Sequence, residues 1–104
     1  MEFVDFSITI PKEDNGTEEV TLSLPRVEMR EEDIIELYVI RTSNFMFRRY
    51  DGEIKSCTTK ISKLQLGCFI MALAEATKYQ VIYFASSVTP STTVILEIYD
   101  DYRE

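Results

Sequence analysis

Apolar and polar positions alternate through the opening segment: Val4, Phe6, Ile8 and Ile10 fall on one side, Asp5, Ser7 and Thr9 on the other. A period of two is the signature of a half-buried strand. Val20, Leu22 and Leu24 repeat it after a polar stretch that contains Asp14-Asn15-Gly16. A two-residue Asn-Gly loop would set Ile8 opposite Ser23 and Ile10 opposite Thr21, mixing apolar and polar residues on one face. A three-residue loop with Gly16 in the left-handed region instead pairs Ile10 with Val20, Ile8 with Leu22 and Phe6 with Leu24, and sets Lys12 against Glu18. The second register is the expectation, because a slip of one residue would turn a whole apolar face to solvent. Pro25 should end the second strand.

Residues 26–36 carry no clear period and read as either an acidic helical turn or a loop. Leu37-Tyr38-Val39-Ile40 is β-branched and aromatic, which predicts a strand over residues 35–42. Phe45–Tyr50 and Glu53–Thr59 flank Asp51-Gly52, a two-residue hairpin signal that would pair Tyr50 with Glu53, Arg48 with Lys55, and Met46 with Cys57. Two further strands are predicted at Gln80–Ser86 and Thr92–Tyr99. Both are apolar on both faces, as central strands are.

The helical signal covers residues 62–78. Ser62 stands at an N-cap position with Gln65 three residues on, completing a capping box, and Ile61 and Leu66 form a hydrophobic staple around it. Leu66, Phe69, Ile70, Leu73 and Thr77 make one stripe, yet Leu64, Cys68, Met71, Ala72 and Ala76 leave the rest of the cylinder largely apolar too. Such a helix is expected to be buried on more than one side. A second copy of the chain meeting Cys68, Met71 and Ala72 would supply the second cover, giving a homodimer; a second layer within the chain would do the same. Gly67, at ~1 kcal/mol against alanine, fits close approach by a neighbouring backbone.

These elements define an α+β fold. One domain spans residues 1–104, with a mostly antiparallel sheet of about 6–7 strands: two in an N-terminal hairpin, a middle hairpin and two C-terminal strands. One principal helix packs on it. With 104 residues and an apolar fraction of 45%, the chain has one core and no membrane-length apolar run. The acidic start and the absence of a leader-like stretch point to the cytoplasm. There is no histidine, which removes Ser-His-Asp and Cys-His pairs and the usual zinc sites. The three glycines are isolated, so no phosphate-cradling loop exists. No catalytic residues, cofactor or metal are assigned, and a non-enzymatic role is the expectation.

Charge then separates two candidate surfaces. Residues 1–36 hold eleven acids and three bases, residues 37–83 seven bases and three acids, and residues 84–104 four acids and one base, net −8, +4 and −3. Glu28, Glu31, Glu32, Asp33 and Glu36 form the densest acidic run. A surface of this kind fits a basic protein partner and can imitate a phosphate backbone, as in a phage-type inhibitor that blocks a nucleic-acid enzyme; it can also serve solubility alone. The alternative lies in the basic middle, where Arg48, Arg49, Tyr50, Lys55 and Lys60 combine cations with an aromatic ring, the components of a single-stranded nucleic-acid platform. Charging a sheet edge against aggregation would select the same residues.

Overall fold

A computed structural model describes residues 2–12, 16–41, 56–85 and 93–99. Among them are six strands in two sheets and one α-helix: β1 (Phe3–Pro11), β2 (Thr17–Pro25), β3 (Ile34–Arg41), β4 (Ser56–Ser62), α1 (Leu66–Thr77), β5 (Gln80–Ala85) and β6 (Thr93–Tyr99). The fold is α+β and mostly antiparallel, as the patterning predicts. β1 and β2 form one sheet; the other has the order β4-β3-β6-β5, in which β3 and β6 run parallel at the centre. Among the described residues no helix is long and apolar enough to cross a membrane.

The hairpin keeps the predicted faces in a different register. Phe6 stands opposite Leu22, Ile8 opposite Val20, Val4 opposite Leu24, and Ile10 rather than Lys12 opposite Glu18. The slip is two residues, so every side chain stays on its predicted face. Each register makes three apolar pairs, and periodicity cannot choose between them. The ends decide. In the observed register Arg26 N–H donates to the Glu2 carbonyl at 2.8 Å, and the Arg26 side chain meets the Glu2 carboxylate at 3.0 Å. At the other end Lys12 N–H donates to the Gly16 carbonyl at 2.9 Å, so Gly16 stands opposite Lys12. The predicted register, with Lys12 opposite Glu18 and Gly16 inside the loop, is therefore corrected. Pro25 closes β2 as expected.

The ambiguous stretch resolves into extended chain to Arg30, a single 3-10 turn at Glu31–Asp33, and β3 from Ile34. The predicted strand Phe45–Tyr50, the Asp51-Gly52 turn and the partners given to Glu53 and Lys55 lie outside the described residues. Within them, Cys57 faces Val39 of β3. β6 is central, and among the described residues β5 pairs with β6 alone.

The helix begins where its cap predicts. Ser62 and Gln65 form both arms of a capping box, a 3-10 turn at Lys63–Gln65 follows, and α-geometry starts at Leu66. Its far end closes on Lys78, which holds φ 64° while its N–H donates to the Ala74 carbonyl at 2.9 Å. α1 packs chiefly on β2 with β5 alongside, and β1 lies against β3 and β4, so both sheets and the helix share one core. Phe69 and Leu73 are fully buried there, and Phe6 meets Phe69 edge-on at 6.2 Å between centroids. A pair of that geometry adds ~0.5–1.5 kcal/mol beyond area burial.

Candidate docking surfaces

Two surfaces and one groove gather the side chains able to meet a partner. The acidic run follows the chain from the end of β2 into β3, and its members differ in how much charge they leave free. Glu28 pairs with Arg30 at 3.4 Å, both exposed, and Asp33 pairs with Lys63 at 3.4 Å with its own side chain 15% exposed. Glu36 is half-buried on β3, opposite Lys60 of β4, and accepts a short hydrogen bond from the Tyr38 hydroxyl. That bond first, the Glu36 charge second and partial burial third push the Tyr38 phenol above its ordinary value. Glu31 and Glu32 are exposed in the 3-10 turn and have no ion pair among the described residues. The five predicted carboxylates thus reduce to two open ones, flanked by three that hold cations or a hydroxyl.

Of the basic alternative, Arg48, Arg49, Tyr50 and Lys55 lie outside the described residues. Lys60 is exposed on β4, with Glu36 as its cross-strand neighbour.

The outer side of α1 is open in the single chain. Cys68 is exposed, Met71 is 74% exposed and Leu64 63%, all opposite the buried Phe69 and Leu73. Ala72 is half-buried and packs against the core. Within the chain the helix is therefore buried on one side, and no second layer among the described residues covers the other. A Cβ placed on Gly67 would meet nothing within 4 Å, so no backbone of this chain approaches it closely.

Two features went unnoticed in the sequence. One is a polar cluster at the helix exit. The Arg41 guanidinium lies 4.4 Å over the Tyr79 ring, the Tyr79 hydroxyl donates to Glu18 at 3.0 Å, and Arg41 also reaches the Pro11 carbonyl at 3.5 Å. It ties β1, β2 and β3 to the end of α1, and no local motif announces it. The other is an open groove of about 470 Å³ between Thr21, Leu22 and Ser23 of β2 and Ala72, Glu75, Ala76 and Lys78. Ala72 and Ala76, one turn apart, were a legible sign of a low helix flank, but the strand beside them was not.

Among the described residues no group of three or more His, Cys, Asp or Glu side chains could hold a metal ion. The Cys57 thiol is pushed up by burial, away from nucleophilic character. Comparison with protein-family models, curated proteins and solved structures finds no match to this chain.

Proposed function

We propose that this chain is a non-catalytic binding domain that docks on a basic protein surface through the acidic segment 28–36, with Glu31 and Glu32 making the contact. The observation behind this reading is that these two carboxylates are exposed without an ion pair among the described residues, in a chain of net charge −7. Glu28, Asp33 and Glu36 play a supporting part, since each already holds Arg30, Lys63 or the Tyr38 hydroxyl. Carboxylates at such a surface steer encounter and set partner choice more than they add raw affinity. The partner class that fits is a protein with a cationic groove, of which an enzyme that holds a nucleic-acid backbone is one form. The setting would be cytoplasmic.

The test is affinity capture with the wild-type chain and with Glu31→Lys/Glu32→Lys/Glu36→Lys, at low and at physiological salt. Loss of a basic protein from the variant, and weakening by salt with the wild type alone, is the expected result; equal capture by both would sink the reading. Fluorescence anisotropy with labelled single- and double-stranded oligonucleotides should give no binding. Tight salt-dependent binding there would favour the basic set Arg48, Arg49, Tyr50, Lys55 and Lys60 instead.

A second copy is a further proposed partner, carried by the exposed Leu64 of the 3-10 turn and by Cys68 and Met71 on α1. Sedimentation equilibrium of the wild type against Met71→Glu measures it directly.

A further inference from the structure

The backbone bonds at the two ends of the hairpin determine which way each residue of β2 points. Lys12 N–H bonds Gly16 and Arg26 N–H bonds Glu2, so the pairs 12–16 and 2–26 are hydrogen-bonded pairs. In an antiparallel ladder such pairs alternate with unbonded ones. Residues 18, 20, 22 and 24 therefore turn their amides toward β1, while Thr17, Glu19, Thr21 and Ser23 turn theirs away. Among the described residues β2 pairs with β1 alone, and those outward groups take no backbone partner. The groove described above lies along this edge, with Thr21-Leu22-Ser23 as one wall and the alanine flank of α1 as the other.

We propose that this edge accepts an extended segment of a partner protein by strand addition, bonding to the outward N–H and C=O groups of Thr21 and Ser23. Main-chain bonds give affinity in this mode and alternate side chains give selectivity. Alternate residues of the incoming segment would pack small apolar side chains over Ala72 and Ala76. The others would point to the solvent face of the hairpin, where Glu19 favours lysine or arginine. Glu75 adds a second carboxylate to the groove against the single ammonium of Lys78. The β2 edge of a second copy does not fit as the added strand. α1 lies on β2, so adding a second β2 would bring two helices within about one strand spacing, ~4.8 Å, where packed helices need ~8–10 Å. The inference rests on the reading of the chain as a protein-binding domain, and it assigns a contact separate from Glu31 and Glu32.

The test is an amide NMR titration of the isotope-labelled chain with a short capped peptide of alternating valine and lysine. The same peptide N-methylated at every second residue is the control that cannot bond a strand edge. The expected result is saturable shifts at Thr21, Ser23, Ala72 and Ala76, with hydrogen exchange at Thr21 and Ser23 slowed at least about tenfold. The N-methylated peptide, and the unmodified peptide added to Ala76→Phe or Ser23→Pro, should bind at least about tenfold more weakly. Ser23→Pro removes an outward N–H that β1 does not use, so the hairpin should tolerate it. Glu31→Lys/Glu32→Lys should leave the shifts unchanged. Absence of shifts at β2, or equal binding of both peptides, overturns the inference. Shifts confined to residues 28–36 would overturn it too, while leaving acidic docking in place.

Discussion

The hairpin and the four-stranded sheet bury their residues in different ways. Along β1 and β2 each exposed position is followed by a covered one, and up to the closing prolines only the even-numbered side reaches the core. Along β6 the core side carries Val94, Leu96 and Ile98, and the opposite side carries Glu97 and Tyr99, also buried. A one-faced hairpin can be read from alternation, but it borrows its stability from whatever covers that face. A strand covered on both sides loses contacts in either direction when cut. The sharpest expected contrast is therefore Leu96→Ala in β6 against Val4→Ala at the half-buried end of β1. Leu96 is fully buried and its truncation should cost ~2–5 kcal/mol, whereas Val4→Ala should cost about 1 kcal/mol or less. Denaturant unfolding of the two variants measures the difference, and equal losses would break the comparison.

What joins the two regions is a smaller set of polar contacts, and one residue concentrates them. Gln65 accepts from the Ser62 amide at 3.1 Å and donates to the Pro25 carbonyl at 3.0 Å, so it caps α1 and holds the end of β2 at once. It is 6% exposed. Gln65→Ala would leave a buried amide and a buried carbonyl without partners, at ~1–3 kcal/mol. Ser62→Ala, which removes only the other arm of the box, should cost ~1 kcal/mol. If Gln65→Ala costs no more than Ser62→Ala, its bond to the hairpin contributes nothing.

The free side of α1 gives an effect of opposite sign. Gly67 is exposed, and an added methyl meets no neighbour within 4 Å. Gly67→Ala should therefore stabilise the chain by ~0.5–1 kcal/mol, read as a higher thermal midpoint. A loss instead would show that something packs against this side in solution, which is what a second copy would do.

Local chemistry made much of this fold legible. The capping box, the staple residues and the period of α1 located the start of the helical segment, its opening 3-10 turn included, to within a residue. Alternation assigned the faces of the hairpin. The register lay beyond reach because a two-residue slip preserves those faces, and only the Glu2–Arg26 pair and the closing bond of Lys12 separate the choices. The parallel pairing of β3 with β6 was equally hidden, since strand order is settled by how the crossover packs. The same reason concealed the β2 edge: a strand does not record in its own residues how many neighbours it will have. On the acidic run, the sequence marked all five carboxylates alike. The fold separates them through their partners, Lys63 for Asp33 from far along the chain, Arg30 for Glu28 and Tyr38 for Glu36 from two residues away.

The smallest expected effect lies on the outer face of the four-stranded sheet, where Tyr38 donates to Glu36. Among the described residues the hairpin's outer face has an uncharged counterpart, Ser7 against Thr21 at 3.3 Å. Ionising Tyr38 would place a phenolate beside a carboxylate, so its folded value lies above the ordinary 10.0. The unfolded chain then loses this proton first. The contact's contribution is whole below about pH 10 and fades as pH rises through the folded value. Phenolate absorbance during an alkaline titration should show one tyrosine ionising late, and Glu36→Gln should move that step back toward the ordinary value. If the step stays where it was, Glu36 is not its cause, and this carboxylate would join Glu31 and Glu32 as open charge. The acidic docking surface would then be wider by one residue, and the contrast between the two outer faces would lose its electrostatic part.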